Sequence, residues 1–361
     1  RKKDDIMQVD FTDLHLHSTY SNLDAFGMPD QIVERAKDIG RTQMALTDHG
    51  SVSGWVKLWK ACEEQKIKPI YGSEQYMVPS IKTMFEQKIR QKYHITILAT
   101  NLTGYRNILK LSSLSYEDGF YYRPTIDKEM LFQHNEGLIV LSGCWSGLMQ
   151  TALKTGEYSQ ATKMAHEFKE VFGDRYYLET QHFPLFQDTF SHLQKLSVQT
   201  EIPIVLTCDP HYLHEEQAPI QEILHAIRDR REFDPDQIIY GAYQWPADYL
   251  FEAVTKLFPD GNWQELFENT VNVANRCNVE IPLGDAPKFN DNQEAKPLLL
   301  QSMVEGVKLR GIDKFDDEKR RASMHQLKRE LNLVIDKGFD DYSLLVSDPV
   351  KWSTNKGVLV G

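Results

Sequence analysis

Short apolar runs alternate with stretches of helical periodicity through roughly the first 210 residues. The runs cover residues 9–16, 44–47, 69–78, 93–99, 138–141, 176–178 and 202–206. They are short and β-rich, so each predicts a strand. Strands alternating with helices describe an α/β protein. Seven of them predict a closed or nearly closed parallel barrel rather than a small open sheet. In such barrels the chemistry sits at the carboxyl ends of the strands, and most of the conspicuous polar residues fall there.

After Asp209 the pattern changes to helices and loops. Residues 262–277 predict an amphipathic helix, with Trp263, Leu266, Phe267, Val271 and Ala274 at helical spacing. The phrase Pro282-Leu-Gly-Asp-Ala-Pro287 combines prolines with turn residues and predicts a boundary. Beyond it Met324, Leu327, Leu331 and Val334 mark another amphipathic helix, closed by Lys337-Gly338. There is no internal repeat and no low-complexity segment.

Composition narrows the class. The 361 residues are 41% hydrophobic and 26% charged, with no apolar run approaching 18 residues, which predicts a soluble globular protein without a membrane span. No basic segment precedes an apolar stretch at the start, so no secretory signal is expected in this sequence. It opens Arg1-Lys2-Lys3 without a Met, so preceding residues are expected. Cys62, Cys144, Cys208 and Cys277 are too scattered for a disulfide framework or a CxxC zinc module, and a cytoplasmic location follows. The net charge of −11 argues against binding nucleic acid by bulk electrostatics. Any phosphate must be drawn by a local feature such as bound metal. Residues 308–329 hold eight basic and four acidic side chains, and a solvated helix face accounts for this better than phosphate contact.

The candidate chemistry clusters at strand ends. His15 and His17 lie two residues apart at the end of the first run and so share one face. Asp24 follows in the next loop, and Asp48-His49 ends the second run. Glu74 stands in Tyr-Gly-Ser-Glu-Gln, His94 at the start of its run, Cys144 in Leu-Ser-Gly-Cys-Trp, and Asp209 and His211 in Cys-Asp-Pro-His-Tyr. Imidazoles, carboxylates and one thiol form a ligand set for zinc or manganese-like ions at a hydrolytic site. Taken singly, a His-x-His pair is more often a surface pair, Cys144 a small buried hydrophobe and Asp209 a turn former. Their joint placement favours metal. His94 fits least, because it begins its run rather than ending it.

Four phrases carry a resemblance: Asp13-Leu-His-Leu-His-Ser-Thr-Tyr-Ser, Ala45-Leu-Thr-Asp-His-Gly, Lys68-Pro-Ile-Tyr-Gly-Ser-Glu and Thr207-Cys-Asp-Pro-His-Tyr. They resemble the signature segments of the PHP (polymerase and histidinol phosphatase) domain. Gly104-Tyr-Arg-Asn-Ile-Leu-Lys-Leu-Ser-Ser, Gly119-Phe-Tyr-Tyr-Arg-Pro, Leu141-Ser-Gly-Cys, Asn275-Arg-Cys-Asn-Val-Glu-Ile-Pro-Leu-Gly and Gly338-Phe-Asp-Asp-Tyr-Ser-Leu-Leu-Val-Ser-Asp narrow it further. These are similar to the alpha subunits of bacterial DNA polymerase III, the C-family replicative polymerases.

The resemblance implies a distorted seven-stranded TIM-like (β/α) barrel over residues 1–285 with a helical extension. A mostly helical beginning of a polymerase palm would follow over 286–361. It implies three divalent ions, zinc or manganese first and iron or magnesium as further candidates. His15, His17, Glu74 and Asp209 would hold one; Glu74, His94 and Cys144 a second; Asp24, His49 and His211 a third, the set placed closest to catalysis. Three such ions would leave a formal excess of two positive charges over Asp24, Glu74, Asp209 and an ionised Cys144, so an acidic chain can still attract phosphate. A water with its pKa lowered to about 7 would be the nucleophile, and no side-chain nucleophile is needed. Implied activities are DNA-directed DNA synthesis in replication and 3′–5′ exonucleolytic proofreading. Implied partners are a DNA primer-template, the remainder of the polymerase as the same or a second polypeptide, a sliding clamp and other replisome subunits. The polymerase aspartates and their magnesium are expected downstream of Gly361. Alternatives are a catalytically silent scaffold that docks a separate proofreading subunit, and a stand-alone phosphatase.

Overall fold

The computed structural model describes residues 10–282, 284, 287–290 and 294–359. These fall into two compact units, Arg1–Glu280 and Ile281–Gly361. Residue 9 of the first run, and residues 283, 285 and 286 of the expected boundary phrase, lie outside the described residues.

The first unit is built on one curled sheet. Its strands are β1 (Gln43–Leu46), β2 (Lys68–Val78), β3 (Tyr93–Ala99), β4 (Thr125–Asp127), β5 (Leu138–Leu141), β6 (Tyr176–Gln181) and β7 (Ile204–Thr207). Strand order is β1-β2-β3-β5-β6-β7, with β4 paired to β2 off that path. The mixed α/β architecture and seven-stranded sheet match the sequence expectation, with two differences. The first run is not a strand. Residues 13–17 run beside β1, where Ala45 N donates to Asp13 O at 2.7 Å and Thr47 N to Leu16 O at 2.8 Å. On the other side His17 N donates to Pro210 O at 3.0 Å, just beyond β7. This segment therefore lies between the two edge strands, which do not pair with each other among the described residues. The seventh strand is instead β4, three residues too short to leave a periodic signal. Secondly, the sheet is mixed rather than parallel: β3 is antiparallel to both β2 and β5.

Side-chain alternation explains how this sheet holds both a core and a site. Ile70, Leu98, Ile139, Leu141, Tyr177 and Val205 share one face and pack with Leu14 and Ala45 into a single buried cluster. Further toward the other end of the same rows, an even number of residues away, stand Glu74 on β2, Thr96 on β3, Glu179 on β6 and Thr207 on β7, all buried. Each row thus reads apolar at one end and polar at the other. The apolar end is covered by helix Trp263–Arg276, whose Val273 and Ala274, with Cys277 just beyond it, join the cluster. That helix is the one expected at 262–277. All four cysteines are free and buried.

The second unit is helical, with helices Ala295–Leu309, Asp317–Asp336 and Asp340–Asn355. Asp316 caps the middle one by accepting from Lys319 N at 2.9 Å. Gly338, at φ +69°, turns the chain after it. No residue of that middle helix is buried, in keeping with a solvated basic face.

Truncating one inward position should test the core reading. Leu98→Ala removes a fully buried side chain from the shared cluster and is expected to cost about 2–5 kcal/mol, read as a lower urea midpoint. A change under about half a kcal/mol would contradict this packing.

Candidate metal centre

Nine side chains predicted from sequence converge at the polar end of the sheet. His15 and His17 sit side by side with their Nε2 atoms 3.2 Å apart. His15 Nε2 lies 3.2 Å from Glu74 Oε1 and 3.4 Å from Asp209 Oδ1; His17 Nε2 lies 3.0 Å from the same Asp209 oxygen. Glu74 also faces His49 Nδ1 at 2.7 Å and His94 Nδ1 at 3.1 Å. Cys144 Sγ stands 3.4 Å from His94 Nδ1. His49 Nε2 meets Asp24 Oδ2 at 2.7 Å, and His211 Nε2 lies 3.7 Å from that oxygen.

Three sets bring potential ligand atoms within 4.8 Å of one another: His15, His17 and Asp209; His49, Glu74 and His94; His17, His49 and His211. His17 and His49 each belong to two sets. The ligands therefore form one continuous cluster rather than three separate pockets. Asp24 touches His49 but is also held by two residues that sequence reasoning missed. His225 Nε2 and Arg228 Nη1 each lie 2.6 Å from its Oδ1.

Backbone geometry aims these groups. Asp209 adopts φ +48°, a left-handed conformation that a non-glycine residue takes at a cost and that recurs at functional sites. It turns the chain so that Asp209 and His211 both reach the cluster. Gly143, at φ +91°, passes so close to β3 that an added Cβ would lie 2.2 Å from His94 O. Only glycine fits there, and it sets Cys144 against His94.

A second layer fixes the rings. His15 Nδ1 pairs with Glu179 Oε1 at 2.7 Å, so Nε2 is left to face the ligand set. Glu179 also accepts from Thr207 Oγ1 at 2.6 Å and from Gly143 N at 3.1 Å. His17 Nδ1 contacts Ser21 Oγ at 3.0 Å, and Ser21 donates to Asp48 at 2.7 Å. Asp48 also accepts from Ser18 N and Ser18 Oγ, at 2.7 and 2.8 Å. It pins the loop that follows His17 and stands apart from the ligand sets.

Electrostatics are those of a site that needs a cation. Burial, then His49 and His211, push His17 down to about 3, so it stays neutral and ready to ligate. Burial opposes charge on His15 too, but Asp209, Glu74 and Glu179 outweigh it and raise its pKa well above the usual range. His49 and His211 are raised, again against burial, mainly by Glu74 and Asp209 respectively. Burial, reinforced by Glu74 and Asp209, drives the Cys144 thiol well above its ordinary value. Asp24 is held far below the carboxylate range because hydrogen bonds from His211, His225 and His49 overcome the effect of burial.

The fit to metal can be judged from the orphaned atoms. His49 Nδ1 and Glu74 Oε2 approach to 2.7 Å without hydrogen-bond geometry, and both, like Asp209 Oδ1, are buried without a hydrogen-bond partner. Buried acceptors left unpaired cost free energy. Divalent cations among imidazoles, carboxylates and a thiolate would satisfy all three, so the residues fit the ions.

Two clefts open onto the cluster and share Asp24 and His49 as lining. One, of about 290 Å³, is walled by Tyr20, Tyr76, Tyr116, Arg123 and Arg228. The other, of about 250 Å³, is more apolar, with Trp145, Phe183, Leu185 and Ile239.

Comparison with known proteins places this geometry. Residues 13–183 match the PHP domain, and residues 299–361 match the bacterial DNA polymerase III alpha NTPase domain. The chain is 34% identical over 367 residues to the DNA polymerase III subunit alpha of Treponema pallidum, covering 98% of this chain and 30% of that protein. The chain thus carries a PHP domain and a stretch of the bacterial DNA polymerase III alpha NTPase domain, and is similar over nearly its whole length to proteins named DNA polymerase III subunit alpha. With the corresponding Borreliella burgdorferi subunit it shares 34% identity over 362 residues, 97% of this chain and 31% of that one. It thus spans about a third of the length of the curated relatives it matches. A solved two-domain Bacteroides vulgatus protein, described as containing a predicted PHP-like metal-dependent phosphoesterase, is 15% identical at a TM-score of 0.36. That alignment covers 57% of this chain and 53% of the other.

Glu179, His225 and Arg228 were absent from the sequence reading. Glu179 had a signal: it follows the run at 176–178 and alternates in phase with Tyr177. His225 and Arg228 gave none, since an imidazole and a guanidinium on helix Ala218–Asp229 look like ordinary surface residues until Asp24 is brought to them.

Two predictions follow from the second layer and the protonation pattern. Glu179→Gln should weaken metal retention about 10–100-fold in chelator competition, because His15 loses its charged partner; equal retention would remove Glu179 from this role. His15, His49, His211 and Cys144 hold protons tightly in the ion-free cluster, and each must lose one to ligate. Metal uptake should therefore release protons, and zinc retained in equilibrium dialysis should fall from neutral to mildly acidic pH. Retention independent of pH would contradict that protonation pattern.

Proposed function

We propose that this chain is the N-terminal region of a replicative DNA polymerase III alpha subunit whose PHP unit hydrolyses phosphodiesters, acting as a 3′–5′ exonuclease in proofreading. The observation that supports it best is the continuous cluster of seven side chains in mutually close sets, joined by Asp24 through His49 and by Cys144 through His94, with its partnerless buried acceptors, at the floor of two open clefts. We take the catalytic unit to extend to residue 285, with the polymerase palm beginning at 286.

In this reading three divalent ions are held by the nine residues. His15, His17, Glu74 and Asp209 take one, Glu74, His94 and Cys144 another, and Asp24, His49 and His211 the third. Bound ions supply Lewis-acid activation of water and neutralise charge developing on phosphoryl oxygens. Zinc or manganese suits the donors, because Cys144 and five imidazoles are softer than calcium prefers. The chain's own groups orient the substrate. His15, His17 and Glu74 are sealed from solvent, whereas Asp24, His49 and His211 keep 18%, 10% and 12% of their side-chain surface open. A scissile phosphate can reach these three, as it can His94 and Asp209 at 19% and 14%, and Asp24, His49 and His211 are assigned the catalytic position on the family resemblance. Arg228, tied to Asp24 at the cleft wall, helps hold that carboxylate in place beside the cluster. Polymerisation, primer-template binding, clamp contact and other replisome contacts belong in this proposal to the complete subunit.

The test is degradation of a labelled single-stranded oligonucleotide with and without chelator. His15→Ala and Asp209→Asn should each abolish cleavage while the protein stays folded, since each deletes a ligand but little core volume. His134→Ala and His192→Ala, which touch Met130 O and the Tyr158 hydroxyl far from the cluster, should retain full activity. Equal activity in all four variants, or cleavage that survives exhaustive chelation, would sink the reading.

A further inference from the structure

One wall of the polar cleft is built by residues that take no part in the ligand cluster. Helix Leu102–Glu117 ends with Tyr116 at that wall. The chain then turns tightly through Gly119, where an added Cβ would lie 1.8 Å from Thr125 O. The turn sets the Phe120 ring 5.8 Å from that of Tyr116, with 17° between their planes. Both rings are open to solvent, at 56% and 51% exposure. Two large, near-parallel, exposed rings form a ready platform for a flat partner.

A cation continues the platform toward the cluster. Arg123 is exposed and holds its guanidinium 5.5 Å from the centre of the Tyr76 ring. No carboxylate among the described residues pairs with it. Tyr76 in turn stacks on His49 at 5.7 Å and 20°. Tyr122 adopts φ +64°, and Arg90 lies 4.4 Å from its ring and donates to its hydroxyl at 2.7 Å. Glu117 and Asp118 are exposed nearby and confine the positive surface to the arginine side.

We propose that residues 116–123 form a track for single-stranded polynucleotide, with Tyr116 and Phe120 stacking unpaired bases and Arg123 receiving a backbone phosphate. The proposal rests on reading the cluster as a phosphodiester-hydrolysing site, because the track leads into it. Stacking tolerates any base, since every base has a π face, and an arginine beside the rings tracks the phosphates. A duplex cannot use such a platform, because its bases already stack on each other. The chain's net charge of −11 leaves no bulk attraction for a polyanion, so a local aromatic and cationic strip is what this binding would require.

The experiment is fluorescence anisotropy of a labelled oligothymidylate on the full chain. Tyr116→Ala and Phe120→Ala should each weaken binding about tenfold. Arg123→Gln should weaken it and lower the logarithmic salt slope by about 0.7. Tyr158→Ala, an exposed ring on helix Tyr158–Phe172, should leave affinity unchanged. No binding by the unaltered chain, equal affinity in the track variants, or equal competition by a blunt duplex would overturn the track. Should an aromatic variant fail to fold, the salt slope of Arg123→Gln still decides. Hydrolysis of a small phosphodiester by the unaltered chain reports on the cluster alone, so its absence would refute the phosphoesterase reading while anisotropy still judges the track.

Discussion

Glu74 and Glu179, both buried at the polar end of the sheet, flank His15, and this arrangement is the constraint on which the rest of the site depends. A buried carboxylate without compensation is very costly. His15 answers both, with Nδ1 toward Glu179 and Nε2 toward Glu74. His17, His49 and His94 gather around Glu74 as well, whose Oε2 has no hydrogen-bond partner, and Cys144 joins through His94. His15 thus joins the sheet's own buried carboxylate on β6 to the ligand cluster around Glu74.

The sheet supplies the geometry. Rows of alternating side chains that are apolar at one end and polar at the other let a single layer serve as core below and ligand scaffold above. Helix Trp263–Arg276 closes the apolar end, while the two clefts open at the polar end. The gap between β1 and β7 is taken by the segment that bears His15 and His17. Those two ligands therefore come from a piece of chain held by hydrogen bonds to both neighbours, which fixes them more firmly than a free loop would.

Charge explains how an acidic chain can address a polyanion. Its acidic residues are spread over the surface, whereas the candidate site concentrates cation-binding groups at one point. The polar cleft adds arginines and aromatic rings, and the other cleft adds apolar walls. Attraction in this arrangement is local, and so depends on bound cations and a few named side chains rather than on net charge.

Much of this was legible in the sequence. Ligand types recurring next to strand-like runs located all nine residues, because donor chemistry and strand ends are local properties. The helix around 262–277 and the capped helix ending near Lys337 were legible for the same reason: their periodicity and caps lie within one segment. Pairing was not legible. His94 looked out of place at the start of its run, and only the antiparallel setting of β3 brings that start to the same end of the sheet as the other strands' finishes. β4 was invisible at three residues, and the first run is no strand because its partners are a β1 edge and a loop beyond β7. The partners of Asp24 on helix Ala218–Asp229 lie about two hundred residues away. The sequence by itself determined which side chains could bind a cation and roughly where each element lay, since these follow from short-range spacing. Tertiary structure alone decided which of them meet and which buried charges answer one another, because both depend on contacts between residues far apart in the chain.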